Sequence, residues 1–443
     1  MRIPVHQLAA LGLLAPALLT LGYAPALANS TAPMCHGHVA TIVGTASRDT
    51  IVGTPGDDVI VGGKGGDHID GGPGHDVICG GNGRDSLVGG SGNDVLRGQY
   101  GDDTLAGGEG NDFVHGGEGE DTLAGGSGND RLAGGSGLVN RFAADAGDDT
   151  WVSTSKRDQF QFMDAPGPIS LDLAAGTVTG WGHDTFRLSQ DASVTVVGTP
   201  YDDTLLGGPG ADTLLGEGGV DTIAGRSGPD LLVSDRAVTP HETAIDTSAA
   251  LIEGGPGDDE ILIGPAGTAS GGPGDDHVDV NFSADLPLSG DLSLSGGDGR
   301  DRLLLWDATP VGPGVNVDGV YQQVDFDMVT GNLDADDAHF TFPSFEDFIF
   351  ETRDWHTVST DWAITGTDGP NDIFISSLDR YGSSTVVEHG ASGDDRLQSG
   401  GGDDTLYGGP GSDEAAAQNG YDTCISIEGS IAGGSNGCEV MEP

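Results

Sequence analysis

Apolar residues recur once in nine positions over a long glycine-rich stretch of this chain. From Gly53 the sequence reads GTPGDDVIV, GGKGGDHID, GGPGHDVIC, GGNGRDSLV, GGSGNDVLR, GQYGDDTLA, GGEGNDFVH, GGEGEDTLA and GGSGNDRLA, nine units that end at Ala133. A helix needs apolar residues every three or four positions, and an ordinary strand alternates for several residues. The pattern therefore predicts a long turn followed by a very short strand in each unit. The eighth place is always a branched aliphatic residue: Ile60, Ile69, Ile78, Leu87, Leu96, Leu105, Val114, Leu123 and Leu132.

An aspartate stands at the sixth place of every one of these units. With the glycines at the first, second and fourth places it gives the motif G-G-x-G-x-D-x-U-x, in which U is aliphatic. This motif resembles the calcium-binding nonapeptide of RTX proteins, and the chain is similar over most of its length to secreted bacterial calcium-binding RTX proteins. The nine aspartates are Asp58, Asp67, Asp76, Asp85, Asp94, Asp103, Asp112, Asp121 and Asp130.

The resemblance implies an all-β fold, the parallel β-roll solenoid, in which two units form one coil. Eighth-place residues 18 positions apart then stack on the same side of the coil. Because neighbouring strands lie about 4.8 Å apart, such a rod has an apolar core one residue thick. One wall would contain Ile60, Ile78, Leu96, Val114 and Leu132, and the other Ile69, Leu87, Leu105 and Leu123.

The chemistry of the turns agrees with a metal site. Glycine adopts positive φ and has no Cβ, so a G-G-x-G turn can aim several carbonyl oxygens at one point. Ca²⁺ takes six to eight oxygen ligands, which carbonyls and an aspartate carboxylate supply. Collagen needs glycine at every third residue, and a flexible linker keeps no register of aspartate and leucine. Neither alternative accounts for the pattern.

The nonapeptide returns later in the chain, where its sixth-place aspartates are further predicted calcium ligands. Isolated units have no neighbour 18 residues away, so we expect their sites to be incomplete. The complete arrays predict roughly ten ions. A second array holds Asp203, Asp212, Asp221 and Asp230, isolated units hold Asp259, Asp276 and Asp301, and a last array holds Asp395, Asp404 and Asp413.

These patterns divide the chain into consecutive segments. The spacer after the first array keeps alternating strand character, so we expect it to be solenoid with altered turns. The predicted segments are a signal peptide (1–28), an entry cap (29–52), the first array (53–133), a β-rich spacer (134–197), the second array (198–233), a spacer with isolated units (234–303), an aromatic β-rich region (304–389), and the third array with a C-terminal cap (390–443).

The region 304–389 is the richest in aromatic residues. Its alternating phenylalanines predict strands with one buried face. An aromatic surface that binds sugars is the alternative, but burial explains the regular alternation better. The residues concerned are Phe340, Phe342, Phe345, Phe348, Phe350 and Trp355.

The net charge of the chain limits the kinds of partner that it can bind. Asp and Glu number 70 against 17 Lys and Arg, a formal net charge of −53. Such a chain repels nucleic acid and anionic membranes. With so few aromatic residues it would ordinarily be disordered, but about ten Ca²⁺ ions add roughly +20 in the turns. We therefore expect calcium as the partner and no nucleic acid.

The first residues predict export. A short basic start at Arg2, an apolar stretch and the small residues before Asn29 are typical of a secretory signal peptide cleaved after Ala28. No other stretch is expected to span a membrane. Four cysteines in an exported chain suggest disulfides with three possible connectivities. We favour the local pairs Cys35 with Cys79 and Cys424 with Cys438, as staples for the exposed ends of the solenoid.

A search for catalytic residues finds none. His241 and Glu242 begin a zinc-protease motif, but Ile245 stands where its second histidine would be. The G-x-S-x-G match at Ser435 is followed by too little chain for a triad. Paired carboxylates such as Asp57 and Asp58 recur with the repeat, as metal sites would. Histidines such as His115 occupy variable places and are expected to be solvated.

The sequence therefore predicts a secreted, extracellular calcium-binding protein that is not an enzyme and that folds when it binds the metal. Two alternatives remain open. One is a glycan-directed extracellular enzyme built on residues 304–389, and the other is a surface adhesin or structural spacer. A glycan or surface partner is compatible with the sequence but is not identified by it.

Overall fold

The all-β fold predicted from the repeats is confirmed by a computed structural model. Among the described residues every regular element is a strand, and no helix is long and apolar enough to cross a membrane. The chain divides into two compact units, Met1–Thr199 and Pro200–Pro443. The structure describes residues 32–155, 157–189, 192–234, 249–282, 292–307, 323–327, 332–335, 338–341, 345–352, 361–367, 369–376, 385–418, 420–427, 429–430 and 440–442.

In the first unit, parallel strands form two walls. Successive strands of the chain alternate between the walls, so that one coil consists of two nonapeptides. The first wall contains Ile42–Val43, Val59–Lys64, Val77–Asn82, Val95–Tyr100, Phe113–Glu118, Arg131–Ser136, Thr150–Val152 and His183–Arg187. The second wall contains Thr50–Val52, His68–Pro73, Ser86–Ser91, Thr104–Glu109, Thr122–Ser127, Arg141–Ala143, Gln159–Gln161 and Thr195–Val197.

The register of these walls follows the nine-residue repeat. Ile60 pairs with Ile78 in the first wall, and Leu87 pairs with Leu105 in the second. All nine eighth-place residues of the first array are at most 1 % exposed. The two columns predicted from an 18-residue spacing are therefore confirmed, and they form the apolar core of the roll.

Beyond the first array the same columns continue with larger side chains. Leu123 pairs with Phe142 and then Phe160 in one wall, while Leu132 pairs with Trp151 and then Phe186 in the other. The rings of Trp151 and Phe160 stack with their centroids 5.6 Å apart. An antiparallel excursion, Ser170–Asp172 with Thr177–Thr179, interrupts the coil before His183–Arg187. Aromatic rings thus fill the interior where the repeat is irregular.

A disulfide ties the beginning of the described chain to the roll. Cys35 and Cys79 are bonded, as the sequence suggested, and both side chains are 1 % exposed. Cys35 ends the strand Met34–Cys35, which pairs antiparallel with His38–Val39. Cys424 is disulfide-bonded as well, and Cys438 lies outside the described residues. The bond at Cys35 therefore fastens an entry hairpin onto the roll.

In the second unit, parallel strands again form walls, and each strand lies beside the equivalent strand of the next coil. The first wall contains Thr204–Leu206, Thr222–Ala224, Ala250–Glu253, Gly267–Pro273 and Ser293–Asp298. The opposite wall contains Thr213–Leu215, Leu231–Val233, Glu260–Ile263, His277–Phe282, Arg302–Asp307, Asp347–Thr352, Asp372–Ser376, Arg396–Gln398, Glu414–Ala416 and Gly429–Ser430. A third sheet contains Gln323–Asp327, Asp361–Thr365, Val386–His389, Thr405–Tyr407, Thr423–Ile425 and Val440–Glu442, with Asn332–Ala335 and Ala338–Thr341 added antiparallel.

The aromatic region takes part in this stacking. Phe348 pairs with Leu303 on one side and Ile373 on the other and is fully buried, and Phe345 is 1 % exposed. The side chains of Phe340, Phe342, Phe350 and Trp355 lie outside the described residues. The burial of Phe348 in the column of the roll agrees with the prediction of a strand with one buried face, whereas Phe345 is buried just before that strand begins.

The second glycine of each nonapeptide holds its coil close to the preceding one. Gly108 has a φ of +121°, and a Cβ added there would collide with the carbonyl oxygen of Gly90 in the preceding coil. Gln99 occupies the same place in its own unit with a φ of +81° and already has a Cβ. The second place therefore tolerates a side chain in one unit and excludes it in its neighbour.

We expect Gly108→Ala to lower the free energy of unfolding of the calcium-loaded protein by about 2 kcal/mol or more. Positive φ disfavours alanine, and the added methyl group overlaps backbone atoms. The control Gln99→Ala, at the same place of the adjacent unit, should change stability by less than about 0.5 kcal/mol. Urea unfolding followed by circular dichroism measures both. Equal effects of the two substitutions would contradict the steric assignment.

Candidate calcium sites in the turns

The sixth-place aspartates of the first array form a buried ladder along the turns. Each side chain is between 0 and 6 % exposed. From Asp67 to Asp130, Oδ1 of each aspartate accepts a hydrogen bond from the backbone N–H of the aspartate one coil earlier. For example, the N–H of Asp94 donates to Asp112 and that of Asp112 donates to Asp130, both at 2.7 Å. One carboxylate oxygen per turn thus fixes the stacking of the coils.

From Asp67 to Asp130, the second oxygen of each carboxylate has no hydrogen-bond donor. Burying a charged oxygen without a partner is costly, and a bound cation is the usual remedy. This series of orphaned atoms fits an oxygen-coordinated metal ion, which these aspartates would hold. The Oδ2 atoms concerned in the first array belong to Asp67, Asp76, Asp85, Asp94, Asp103, Asp112, Asp121 and Asp130.

The first glycine of each unit keeps the space beside these oxygens open. A Cβ at Gly62 would lie 2.5 Å from the carbonyl oxygen of Gly80 and 2.6 Å from Oδ2 of Asp67. A side chain at this place would therefore displace the carboxylate. The turn instead brings a carboxylate oxygen and a backbone carbonyl oxygen to the same small space, and these are the ligand types that Ca²⁺ prefers.

In the absence of a metal, burial disfavours the ionised form of these carboxylates and raises their pKa values. It raises the pKa of Asp103 and of Asp112 to about 7, and that of Asp94 to about 6. Neighbouring aspartates in the ladder raise these pKa values further through repulsion. The turns consequently favour either a proton or a cation near neutral pH.

Asp58 differs from the other predicted ligands of the first array. Its Oδ2 accepts the backbone N–H of Thr54 at 2.6 Å and the hydroxyl of Thr54 at 2.8 Å. Although burial raises its pKa, the hydrogen bonds from Thr54 and Thr41 outweigh burial and lower it below the ordinary value. The protein itself thus satisfies this carboxylate, which is a weaker candidate ligand than its neighbours.

At the end of the first array, asparagine replaces aspartate in the ladder. The N–H of Asp121 donates to Oδ1 of Asn140 at 3.1 Å, and the N–H of Asn140 donates to Oδ1 of Asp158 at 2.7 Å. The unit that contains Asn140 has one extra residue, so a strict nine-residue reading assigns the sixth place to Val139. Asn140 and Asp158 are therefore functional candidates that sequence reasoning missed.

Three buried carboxylates meet in the next turn. Ligand oxygens of Asp130, Asp145 and Asp149 lie within 4.8 Å of one another, and each side chain is at most 6 % exposed. Oδ2 of Asp145 accepts the N–H of Gly126 at 2.6 Å, whereas Oδ1 has no N–H or hydroxyl donor. Burial and then the charge of Asp149 raise the pKa of Asp145. Asp145 thus adds a third carboxylate to the two ladder aspartates of this turn.

In the second unit the isolated nonapeptides also form a ladder. Asp230 donates its N–H to Asp259, Asp259 to Asp276 and Asp276 to Asp301, at 2.8 to 2.9 Å. These aspartates are 29, 17 and 25 residues apart rather than 18. Each therefore has a ladder neighbour, although the number of residues between neighbours varies.

The remaining predicted ligands of the second unit also lie in ladders. Asp203 donates its N–H to Asp221, Asp212 to Asp230, Asp395 to Asp413, and Asp404 to Asp422, at 2.7 to 3.0 Å. Oδ2 of Asp212 also accepts the N–H of Gly208 at 2.8 Å. All of these carboxylates are at most 2 % exposed.

Two further residues continue the ladder of the second unit. Oε2 of Glu346 accepts the N–H of Asp301 at 2.7 Å, and the N–H of Asn371 donates to Asp395 at 2.9 Å. Asn371 also donates through its side chain to the backbone of Glu346 at 2.9 Å. Glu346 lies in a stretch without glycine, so no motif marks it in the sequence. Asn371 stands at the sixth place of the nonapeptide GTDGPNDIF, where asparagine replaces aspartate.

Comparison with known proteins identifies the repeats. The family model described as RTX calcium-binding nonapeptide repeat (4 copies) matches residues 43–78, 80–114, 107–138, 197–232 and 389–424. The matched stretches contain the turns with the orphaned carboxylate oxygens of the first array. No curated protein matches the chain. The repeats recognised from the sequence motif are thus confirmed.

The pKa values predict how the metal-free protein responds to pH. Burial raises the pKa of Asp94, Asp103 and Asp112 in the folded state above that of the unfolded chain. The folded state then binds more protons, so its stability without calcium is greatest below about pH 4 and is lost as the pH rises through about 6 to 7. We expect circular dichroism of calcium-stripped protein to show more β structure at about pH 5 than at about pH 8. Less β structure at the lower pH would contradict this assignment.

We expect Asp145→Asn to weaken the tightest calcium site by roughly tenfold or more, because it removes one of three clustered carboxylates. The control Asp57→Asn removes the same charge from an exposed fifth place and should leave that site unchanged. Competition with a fluorescent calcium chelator measures the affinity. Equal affinities in the two variants would show that Asp145 is no ligand.

Proposed function

We propose that this chain, an RTX-repeat protein, is a secreted calcium-binding protein whose repeats bind several Ca²⁺ ions and fold when they bind them. The observation that carries the proposal is the row of buried Oδ2 atoms without a donor, from Asp67 to Asp130. Ligands of this kind, carboxylate with backbone carbonyl, are those of a hard divalent cation.

Folding and binding are coupled because the ligands of one ion come from different coils. Oδ1 of each aspartate contacts the coil before it, and the open Oδ2 faces carbonyl oxygens of another coil. In the unfolded chain these oxygens are far apart, so the free energy of binding becomes free energy of folding. Without the metal, repulsion between the carboxylates opposes folding of the β-roll.

Two features support secretion. The first 28 residues have the composition of a cleavable leader. The disulfide between Cys35 and Cys79 requires an oxidising compartment such as the cell exterior. Extracellular modules commonly bind calcium with dissociation constants of about 10⁻⁴ to 10⁻³ M. The roll would then stay unfolded in the calcium-poor cytoplasm and fold outside.

The proposal assigns the repeats a binding and structural role and no catalytic one. The buried acids recur in every coil and are used in the same way each time, for stacking through Oδ1. A glycosidase needs one dedicated pair of carboxylates at a set separation. Repetition therefore supports repeated metal sites.

The test is a calcium titration of the purified protein, with far-ultraviolet circular dichroism and calorimetry at the same concentrations. We expect a largely unfolded chain in chelator, a cooperative gain of β structure on adding calcium, and roughly ten ions bound. Full β structure in chelator, unchanged by calcium, would refute coupled folding. Failure to bind calcium at all would refute the proposed function.

A matched pair of variants locates the ions. Asp112→Asn replaces an orphaned carboxylate oxygen with an amide, so at least one fewer ion should bind and folding should need more calcium. Asp57→Asn removes the same charge at an exposed place and should bind as many ions as the unmodified protein. A full complement of ions in Asp112→Asn would place the metal elsewhere.

A further inference from the structure

Two arginines of the first unit lie together on the outer face of the first wall. The guanidinium carbon of Arg97 lies 5.6 Å from the centroid of the Phe113 ring, and that of Arg131 lies 6.0 Å from the same centroid. Both therefore make cation–π contacts with one ring. The ring orders the two guanidinium groups beside each other on a sheet face.

Neither arginine has an acidic partner among the residues that the structure describes, although the chain has 70 acidic residues. Nε of Arg97 is buried and has no hydrogen-bond acceptor. Arg84, in contrast, pairs with Asp102 at 2.8 Å. A buried guanidinium donor without an acceptor is costly in the same way as an orphaned carboxylate. Among the described residues, the two arginines therefore have no anionic partner, and a bound anion could supply one.

An open recess of about 620 Å³ lies beside the pair. Small side chains, Ala133 and Val152, line part of it, because they follow His115 in the same outward column of the wall. His115 is half-buried there, contrary to the expectation of a solvated side chain, and burial together with Arg97 lowers its pKa. The recess is larger than a simple inorganic anion requires, and its lining is partly apolar.

The charges of the side chains that line the recess limit the charge of the ligand that it can bind. Arg97 and Arg131 face one acid, Glu118, in the recess. The local excess of positive charge is thus small, and the whole chain carries −53. A polyanion would be repelled by the surrounding protein, whereas a single carboxylate would not. Arginine matches a carboxylate through two parallel hydrogen bonds.

We propose that this recess binds a monocarboxylate carried on a ring, with the carboxylate at Arg97 and Arg131 and the ring over Ala133 and Val152. Two classes of compound share this chemistry, namely aromatic acids and single uronic-acid sugars. The recess is separate from the turns that hold the orphaned carboxylates. It requires the folded roll but none of the calcium ligands.

The test is isothermal titration calorimetry of the calcium-saturated full-length protein with benzoate and with glucuronate. Binding of benzoate identifies the aromatic class, and binding of glucuronate identifies the sugar class. Acetate and benzamide supply the charge without the ring and the ring without the charge. Both should bind at least about tenfold more weakly than the preferred ligand. No binding of benzoate or glucuronate, or acetate binding as tightly as they do, would overturn the proposal.

Three variants assign the site. Arg97→Gln and Arg131→Gln should each weaken binding by about tenfold or more, since each loses a charged hydrogen-bond donor. Arg84→Gln removes the same charge outside the recess and should change binding less than twofold, roughly the limit for a remote exposed charge. Circular dichroism with calcium verifies that the variants fold. Equal binding by all three would exclude the recess, while a normal calcium titration would leave the proposed function intact.

Discussion

The first array depends on one constraint: a buried carboxylate oxygen without a donor recurs once in every nine residues from Asp67 to Asp130. Asp94 and Asp112 illustrate it, since Oδ1 holds the adjacent coil at 2.7 Å while Oδ2 faces oxygen atoms. A protein interior does not tolerate such an oxygen as a bare charge. Cations in the turns, as we propose, would satisfy these oxygens, and the glycines leave room beside them.

The hydrogen bonds of the ladder have nearly the same length throughout, whereas the number of residues between their partners varies. Asp149 donates to Asp184 across 35 residues, and Asp259 donates to Asp276 across 17, yet both bonds measure 2.8 to 2.9 Å. Extra residues leave the coil as excursions such as Ser170–Asp172 with Thr177–Thr179. The solenoid can therefore absorb insertions without losing a buried carboxylate, because the contact between coils selects which residue occupies the turn.

This tolerance of insertions explains which core and site residues could be predicted from the nine-residue period and which could not. The columns from Ile60 to Leu132 followed directly from a strict period, because a shift of one residue would turn every core side chain outward. Asn140 and Glu346 could not be found in that way, since an insertion or the loss of the glycines removes the period while the backbone contact persists. Asp145 was missed because it stands outside the sixth place and becomes a candidate ligand only through its neighbours in space.

A strict repeat also determines where the protein can vary. The first, second, fourth, sixth and eighth places mostly serve the turn and the core, so variation falls on the third and fifth places of the turn and on the outward-facing seventh and ninth places of the strand. Phe113 and Arg131 are seventh-place residues, and Arg97 and His115 are ninth-place residues. Their rings and positive charges stand together on one face of an otherwise acidic roll. On the faces of the walls, these seventh and ninth places distinguish one coil from the next, and a ligand that binds a wall would contact them.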